Sequence, residues 1–460
     1  MRHFGPVVDC RVLNYDAGMN RSPVPTPVSQ KQSLDHDPPH HTANFGLLAS
    51  YMVVMRTGWI FKTESIIMPA VLDVVGGASW LRGCLPMLNR FGQSIPPMLM
   101  SDLVQNAPLK KRWLTMMTLL MGCCFLALSA MWAVTGGESS GWLPFAFLVI
   151  YAVFFGATGV DMLLLNTMKG KLIRVRRRGL LDLFSNVVGA AVATACAWFL
   201  LTMWLSGTGT AEGERPPNFT MIFLFTGVMF VVAAIIGLLF FEVPDSVTRS
   251  GRSSRQIFQA AIATIKHDRN FRTLALVGMM FGMCLTLFPH YQSLGRSRLS
   301  LTLTALIPWV IAQNIGTAVF SIPSGWAADR FGNRRVLNVL LLALCIAPLL
   351  ALLLSRWQEV HSRWFTLVFL LLGLTPVTIR TFNNYTLEIA DREDHPRYLS
   401  TLGLCVAAPP VLLSTLMGWL VDRFGFELVF LIGTGCILIG WLMTFRLIEP
   451  RDAVQEPSSP

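Results

Sequence analysis

Arg56 interrupts the apolar run LLASYMVVMRTGWIF (47–61), and Arg90 sits in SWLRGCLPMLNRFG (79–92). A charge in the middle of such a stretch costs about 2.5–3.5 kcal/mol on insertion scales, so each residue is a functional-site candidate by default. If the two stretches are antiparallel neighbours, the guanidinium groups face one polar cavity at similar depth and repel unless an anion lies between them. Glu64, eight residues after Arg56 and therefore about two helical turns on, is one partner; a carboxylate or phosphate on a solute is another. Arg90 has a plain alternative, a carbonyl or amide across the bundle. This is the chemistry of holding charge, not of breaking bonds.

Other polar residues fall in apolar surroundings. In FPHYQ (288–292), Pro289 should loosen a helix and turn His290 or Tyr291 inward. A histidine there either carries a proton during coupling or rests in a local hydrogen bond. Gln313, Asn314, Asn383 and Asn384 either bind hydroxyl groups or tie neighbouring helices together. Lys62 and Arg82 are expected to snorkel outward. Asp161, Asp182 and Arg380 fall toward the ends of their spans, where a gate or structural ion pair is expected rather than solute contact.

Bond-making motifs are missing. No GxxxxGK[ST] phosphate loop and no HExxH occur, and GESSG (137–141) lacks the strand and helix that a nucleophile elbow needs. None of the nine cysteines forms a CxxC, and all but Cys10 lie in or beside apolar runs, where they pack as small hydrophobes. The tail histidines His36, His40 and His41 read as a solvated run. No metal, no cofactor and no enzymatic activity are expected.

These residues must be positioned by membrane helices. Only 14% of the 460 residues are charged, against roughly a quarter in a soluble chain, and runs such as MIFLFTGVMFVVAAIIGLLFF (221–241) reach the roughly 20 residues that cross a bilayer. The expected fold is an all-α polytopic membrane protein. Twelve spans are read at about 45–72, 80–100, 113–134, 142–165, 180–206, 219–241, 271–292, 302–324, 335–355, 364–385, 399–420 and 428–446. Pro69 is expected to bend the first rather than divide it. With an inner N-terminus, 26 of the 37 Lys and Arg residues fall inside, 6 outside and the rest within spans. That asymmetry makes both termini cytoplasmic and accounts for the net charge of +11 without nucleic acid. The expected parts are a disordered cytoplasmic tail (1–43) without signal peptide, a six-helix bundle (44–241), a cytoplasmic loop (242–270) with an amphipathic surface helix at 255–271, a second six-helix bundle (271–446) and a tail (447–460).

The block Gly-Trp-x-x-Asp-Arg-Phe-Gly occurs twice, at 325–332 and 418–425. In this topology the first copy turns inside after span 8 and the second outside after span 11. An odd offset of three spans reverses the chain, as in an inverted three-helix repeat. SDLVQNAPLKK (101–111) is a third, weaker relative: Gln105-Asn106 replace the acid and its arginine, Lys110-Lys111 stand in for Arg334-Arg335, and Asp102 is a possible substitute acid.

Gly325, Asp329, Arg330, Gly332, Arg334 and Arg335 resemble the cytoplasmic signature G-x-x-x-D-R-x-G-x-R-R of the major facilitator superfamily. Arg178-Gly179 and Pro396-Arg397-Tyr398 also resemble that family's loops. The resemblance covers about residues 44–446. It implies a secondary transporter working by alternating access, most often coupled to protons, with Asp329, Arg330, Arg334, Arg335, Lys110, Lys111 and Arg178 around a latch that closes the cytoplasmic side. The alternative for the loop is that it only anchors helices and sets topology. The solute is expected to be small and polar or anionic, the protein a monomer in a plasma membrane of bacterial inner-membrane type. Drug export on the same fold, or a sensor or assembly protein that no longer transports, are the rival readings.

Overall fold

The computed structural model describes residues 40–76, 78–137, 140–205, 219–245, 254–356, 362–391 and 394–449. His36 and the rest of the tail before His40 lie outside them, as do the Glu138-Ser139 centre of GESSG and the end of the chain.

Among the described residues every regular element is a helix, the form that satisfies its own backbone in lipid. In chain order they are α1 (His41–Ile60), α2 (Ile67–Val75), α3 (Ser79–Asn106), α4 (Lys110–Thr135) and α5 (Leu143–Leu172). Next come α6 (Val175–Cys196, continuing through a π turn to Leu205), α7 (Thr220–Leu238) and the short amphipathic α8 (Ser254–His267). The rest are α9 (Arg269–Thr286), α10 (Phe288–Leu299), α11 (Leu306–Phe331), α12 (Asn333–Arg356), α13 (Thr366–Leu372), α14 (Leu374–Ile389), α15 (His395–Phe424) and α16 (Phe426–Thr444).

Ten segments among the described residues are long and apolar enough to cross a membrane. The two expected spans that fall short are the first two. The first is divided: α1 ends at Ile60 and α2 begins at Ile67, so the interruption precedes Pro69. The second, α3, carries Arg82, Asn89, Arg90 and three internal prolines. Both depart from the apolar norm where they carry the charges that drew attention in the sequence.

Packing sorts the helices into two groups. α1 packs on α6 and α7, α4 on α5 and α7, and α3 on α5; in the second half α9 packs on α15 and α16, α12 on α14 and α16, and α11 on α13 and α14. The groups join chiefly along α3 and α15. At their crossing a Cβ on Gly83 would strike the Ser414 carbonyl, and one on Gly418 would strike that of Ser79. The two glycines thus let the backbones touch in reciprocal fashion.

The repeated GW-x-x-DRFG segments are not loops. Helix α11 runs through Phe331 and α15 through Phe424, so each connection to the next helix is a single residue, Gly332 or Gly425. Their φ values are +87° and +82°, a region open to glycine and strained for other residues. The two copies are the same device, a helix stopped by a left-handed glycine.

Asn44 meets Phe241, and Lys110 and Lys111 meet the adjacent Glu242, at one face of the molecule, where Asn333, Glu388 and Glu449 also lie; it is termed here the terminal face. Asp73, Ser79, Gln292 and Asp422 mark the opposite face.

Candidate functional site

Between the helix groups lies a cavity of about 600 Å³. Its wall is drawn from α1 and the break after it, α3, α5 and α6 on one side, and from α9, α10, α11 and α14 on the other. The stretch Lys62–Ser65, between α1 and α2, lines it. Backbone without helical hydrogen bonds is tolerated at membrane depth where it borders a cavity. Thr63 closes the break by donating from Oγ1 to the Ile60 carbonyl (2.6 Å) while its own carbonyl accepts from Ile67 N (2.9 Å).

Arg56, Glu64 and Arg90 all line this cavity, together with Gln313 and Asn314. Arg56 donates to Asn186 Oδ1 on α6 at 2.9 Å, a neutral partner. Glu64 accepts from Lys62 Nζ at 3.1 Å and from Asn89 Nδ2, and Arg90 feels its charge. The acid therefore answers Lys62, Asn89 and Arg90 rather than Arg56. Gln313 Oε1 accepts from Ser65 Oγ at 2.6 Å across the two groups, and Asn314 Nδ2 donates to the Val310 carbonyl of its own helix at 2.9 Å.

Lys62 and Arg82 do not snorkel. Lys62 is 3% exposed, and its ammonium lies 3.6 Å from the Trp59 ring centroid and 4.2 Å from that of Phe155. The break after α1 turns this side chain inward, where aromatic faces and Glu64 replace water. Arg82 is 4% exposed, pairs with Asp73 and donates to Ser79 Oγ. Asp161 and Arg380 both line the cavity. Asp161 accepts from Tyr51 Oη (2.9 Å) and Thr118 Oγ1 (2.7 Å) and is buried. Asp182 instead pairs with Lys169 at 2.6 Å.

His290 and Tyr291 are fully buried in α10 and do not line the cavity. The helix does break one residue before Phe288, but the side chains that reach the cavity there are Leu285 and Phe288. Neither ring nitrogen of His290 has a hydrogen-bond partner among the described residues, and Tyr291 packs edge-on against Phe430. Asn383 and Asn384 lie on α14 with Arg380 but are exposed and outside the cavity wall. Two side chains that sequence reading left unremarked, Asn89 and Asn186, hold Glu64 and Arg56. Their only signal was polarity within an apolar run.

At the opposite face the groups are tied. Asp422, the acid of the second DRFG copy, accepts Ser79 N with both oxygens at 3.0 Å and Trp80 N at 3.3 Å, so it caps α3 from the other group. Gln292 Nε2 donates to Asp73 Oδ2 at 2.7 Å, again from one group to the other.

At the terminal face the signature residues bond within their own group. Arg334 donates to the Phe445 carbonyl at 3.0 Å, and Arg330 lies 5.7 Å from the rings of Trp326 and Phe331. Gly325, Asp329 and Arg335 are exposed, while Gly332 is packed against Glu449. In the first half, Asp102 and Gln105 have side chains outside the described set, and a different acid serves the basic pair. Glu242 caps α4 by accepting Lys110 N (3.0 Å) and Lys111 N (2.7 Å), and Lys110 pairs with Asp245. Burial pushes the Asp245 carboxyl up, but hydrogen bonds from Lys110 and Lys171 outweigh it and bring it below the ordinary aspartate value. Arg178 donates from Nε to the Ile173 carbonyl (3.0 Å) and from its guanidinium to that of Gly170 (2.5 Å), closing the end of α5.

Residues 298–460 match the family model described as Major Facilitator Superfamily. A search of curated protein sequences finds no match. Among solved structures, a mutant of the nucleoside transporter NupG aligns with TM-score 0.68 at 11% identity, over 88% of this chain and 100% of that one. A D-xylose-proton symporter aligns with TM-score 0.64 at 12% identity, over 88% and 98%. A mutant of the E. coli fucose:proton symporter FucP aligns with TM-score 0.57 at 15% identity, over 89% and 99%. At these identities the likeness is one of fold.

Proposed function

We propose that this chain, a major facilitator superfamily membrane protein without enzymatic chemistry, carries a small polar or anionic solute across the bilayer by alternating access. The observation that carries this reading is a cavity walled by both helix groups, with the Asp422 and Gln292 ties between groups at the opposite face. In this reading α1 and α2 count as one broken span, so the chain crosses twelve times and both termini lie on one side. The distribution of Lys and Arg supports the cytoplasmic side of a plasma membrane. The conformation is then inward-facing.

In this reading the two DRFG copies take turns. Asp422 latches the outer side now, and Asp329 with Arg330, Arg334 and Arg335 latches the inner side in the outward-facing state. Lys110, Lys111 and Arg178 brace the ends of the helices on that side. The six-helix bundles run over about 44–241 and 271–446, and each half moves as a unit.

The neighbours described as proton symporters support coupling to a proton gradient, and Asp161 is the acid on the cavity wall best placed to carry the proton. The test is uptake by proteoliposomes over a panel of small solutes, with and without a pH gradient. Flux that collapses with the gradient is expected. Reproducible absence of flux would favour a sensor or assembly protein, and efflux of apolar cations would favour drug export.

A further inference from the structure

The cavity wall carries four cations, Arg56, Lys62, Arg90 and Arg380, against two acids, Glu64 and Asp161. Both acids are already engaged. Glu64 answers Lys62 and Arg90, and Asp161 accepts from Tyr51 and Thr118. The surplus falls on Arg56, whose one hydrogen-bond partner is the neutral Asn186, and on Arg380, which makes no hydrogen bond or ion pair among the described residues. The two belong to different helix groups, and their charges repel across the space between. Arg380 is exposed and Arg56 half-buried on this wall, so two like charges look onto one space that favours something negative between them. Guanidinium forks suit carboxylate and phosphate oxygens in paired hydrogen bonds. The remaining wall, with Met52, Met55, Trp59 and Phe288, offers an apolar body a place to lie.

We propose that the solute is an organic anion with two negative charges, of the phosphate monoester or dicarboxylate class, clasped between Arg56 of the first helix group and Arg380 of the second. The inference rests on the transport reading above and supplies its solute class and a residue, Arg380, that bridges the moving halves. An anion held by both groups offsets the repulsion that opposes their approach at the terminal face, so cargo and closure are linked by charge.

The test uses the purified full-length protein in detergent and isothermal titration with three probes: phenyl phosphate, glutarate and the neutral phenyl β-glucoside. Binding of at least one anion with no binding of the glucoside is expected, and the two anions distinguish phosphate from carboxylate. Arg380→Gln and Arg56→Gln should each weaken the anion about tenfold to a hundredfold, and Arg56→Lys should restore part of it. Size-exclusion profiles confirm that each variant is folded. Because one ligand spans both arginines, the double variant should lose less than the product of the single losses. Equal binding of the glucoside, or unchanged anion affinity in Arg380→Gln, overturns the proposal. Flux of a neutral solute without anion binding would sink the anion but keep transport; anion binding without flux of any solute would keep the clasp and sink transport.

Discussion

Asp422 caps Ser79. Both carboxylate oxygens lie 3.0 Å from the Ser79 backbone nitrogen, so the end of α15 in one helix group supplies the N-cap of α3 in the other. An anion at a helix start meets unpaired N–H groups and the positive end of the dipole. In the proposed alternating-access cycle this bond would act as a latch, because it joins two helices and can break without unfolding either.

Loss of that cap should open the face. N-cap removal costs roughly 1 kcal/mol, which corresponds to about a fivefold shift between closed and open populations. Asp422→Ala should raise the labelling rate of a cysteine placed at Ala78 by about that factor in otherwise cysteine-free protein. A rate equal to that of the parent would show that the contact does not hold the face shut.

Glu64 is the acid among Lys62, Asn89 and Arg90. Replacing it by Gln strands the buried Lys62 ammonium and leaves the half-buried Arg90 without its acid, and breaking a buried pair from one side typically costs about 3–5 kcal/mol. Glu64→Gln should lower the melting temperature by several degrees, and adding Lys62→Met should recover part of the loss. An unchanged melting temperature in the single variant would mean that water, rather than Glu64, compensates these charges.

Gly332 and Gly325 should respond oppositely to alanine. At Gly332 the backbone is left-handed and a Cβ would collide with the Glu449 carboxylate, so Gly332→Ala should destabilise by about 1–3 kcal/mol or more. Gly325 is helical with nothing within 4 Å of a Cβ, so Gly325→Ala should leave thermal stability equal or raised, by up to about 1 kcal/mol. If Gly325→Ala also stops flux, the requirement lies in a conformation in which another helix comes close to it.

Acid should undo the Asp245 contacts. Its carboxyl lies below the ordinary aspartate value when folded, so the stability it contributes is present above about pH 4, the unfolded value, and disappears as pH falls through the folded value. The side chain is partly exposed, so the effect should stay below about 1 kcal/mol. Asp245→Asn should melt slightly earlier than the parent at pH 6, with the difference vanishing toward pH 3. A difference that grows with acidification would contradict the assignment.

The helical class and the importance of the first two apolar stretches were legible in the sequence because hydropathy and interrupting charge are properties of a linear window. So was the kinship of the two DRFG segments, since identical residues recur at equal spacing. The fate of each charge was not legible. Lys62 and Arg82 have long stems that suit either snorkelling or burial, and only the break after Ile60, the Trp59 and Phe155 faces and the Asp73 carboxylate decide for burial. His290 reads in isolation either as a proton carrier or as a locally hydrogen-bonded residue, and only the fold shows its ring among neighbours packed around α10 rather than at the cavity.

By itself the sequence determined an all-helical chain rich in membrane-length segments, a glycine placed to stop the helix after each DRF, and a surplus of positive charge inside apolar stretches. These follow from local chemistry: the period of the helix, the φ range of glycine and the cost of charge in hydrocarbon. Tertiary structure decided which residues meet. Glu64 went to Lys62 and Asn89 instead of Arg56, Glu242 took the place expected for an acid in the first half, and Asp422 crossed to Ser79. Arg380 came to face Arg56 although more than three hundred residues separate them in the chain. Contacts between helices depend on the rotation and crossing of each helix, set by packing across the whole molecule, and no local window of sequence contains them.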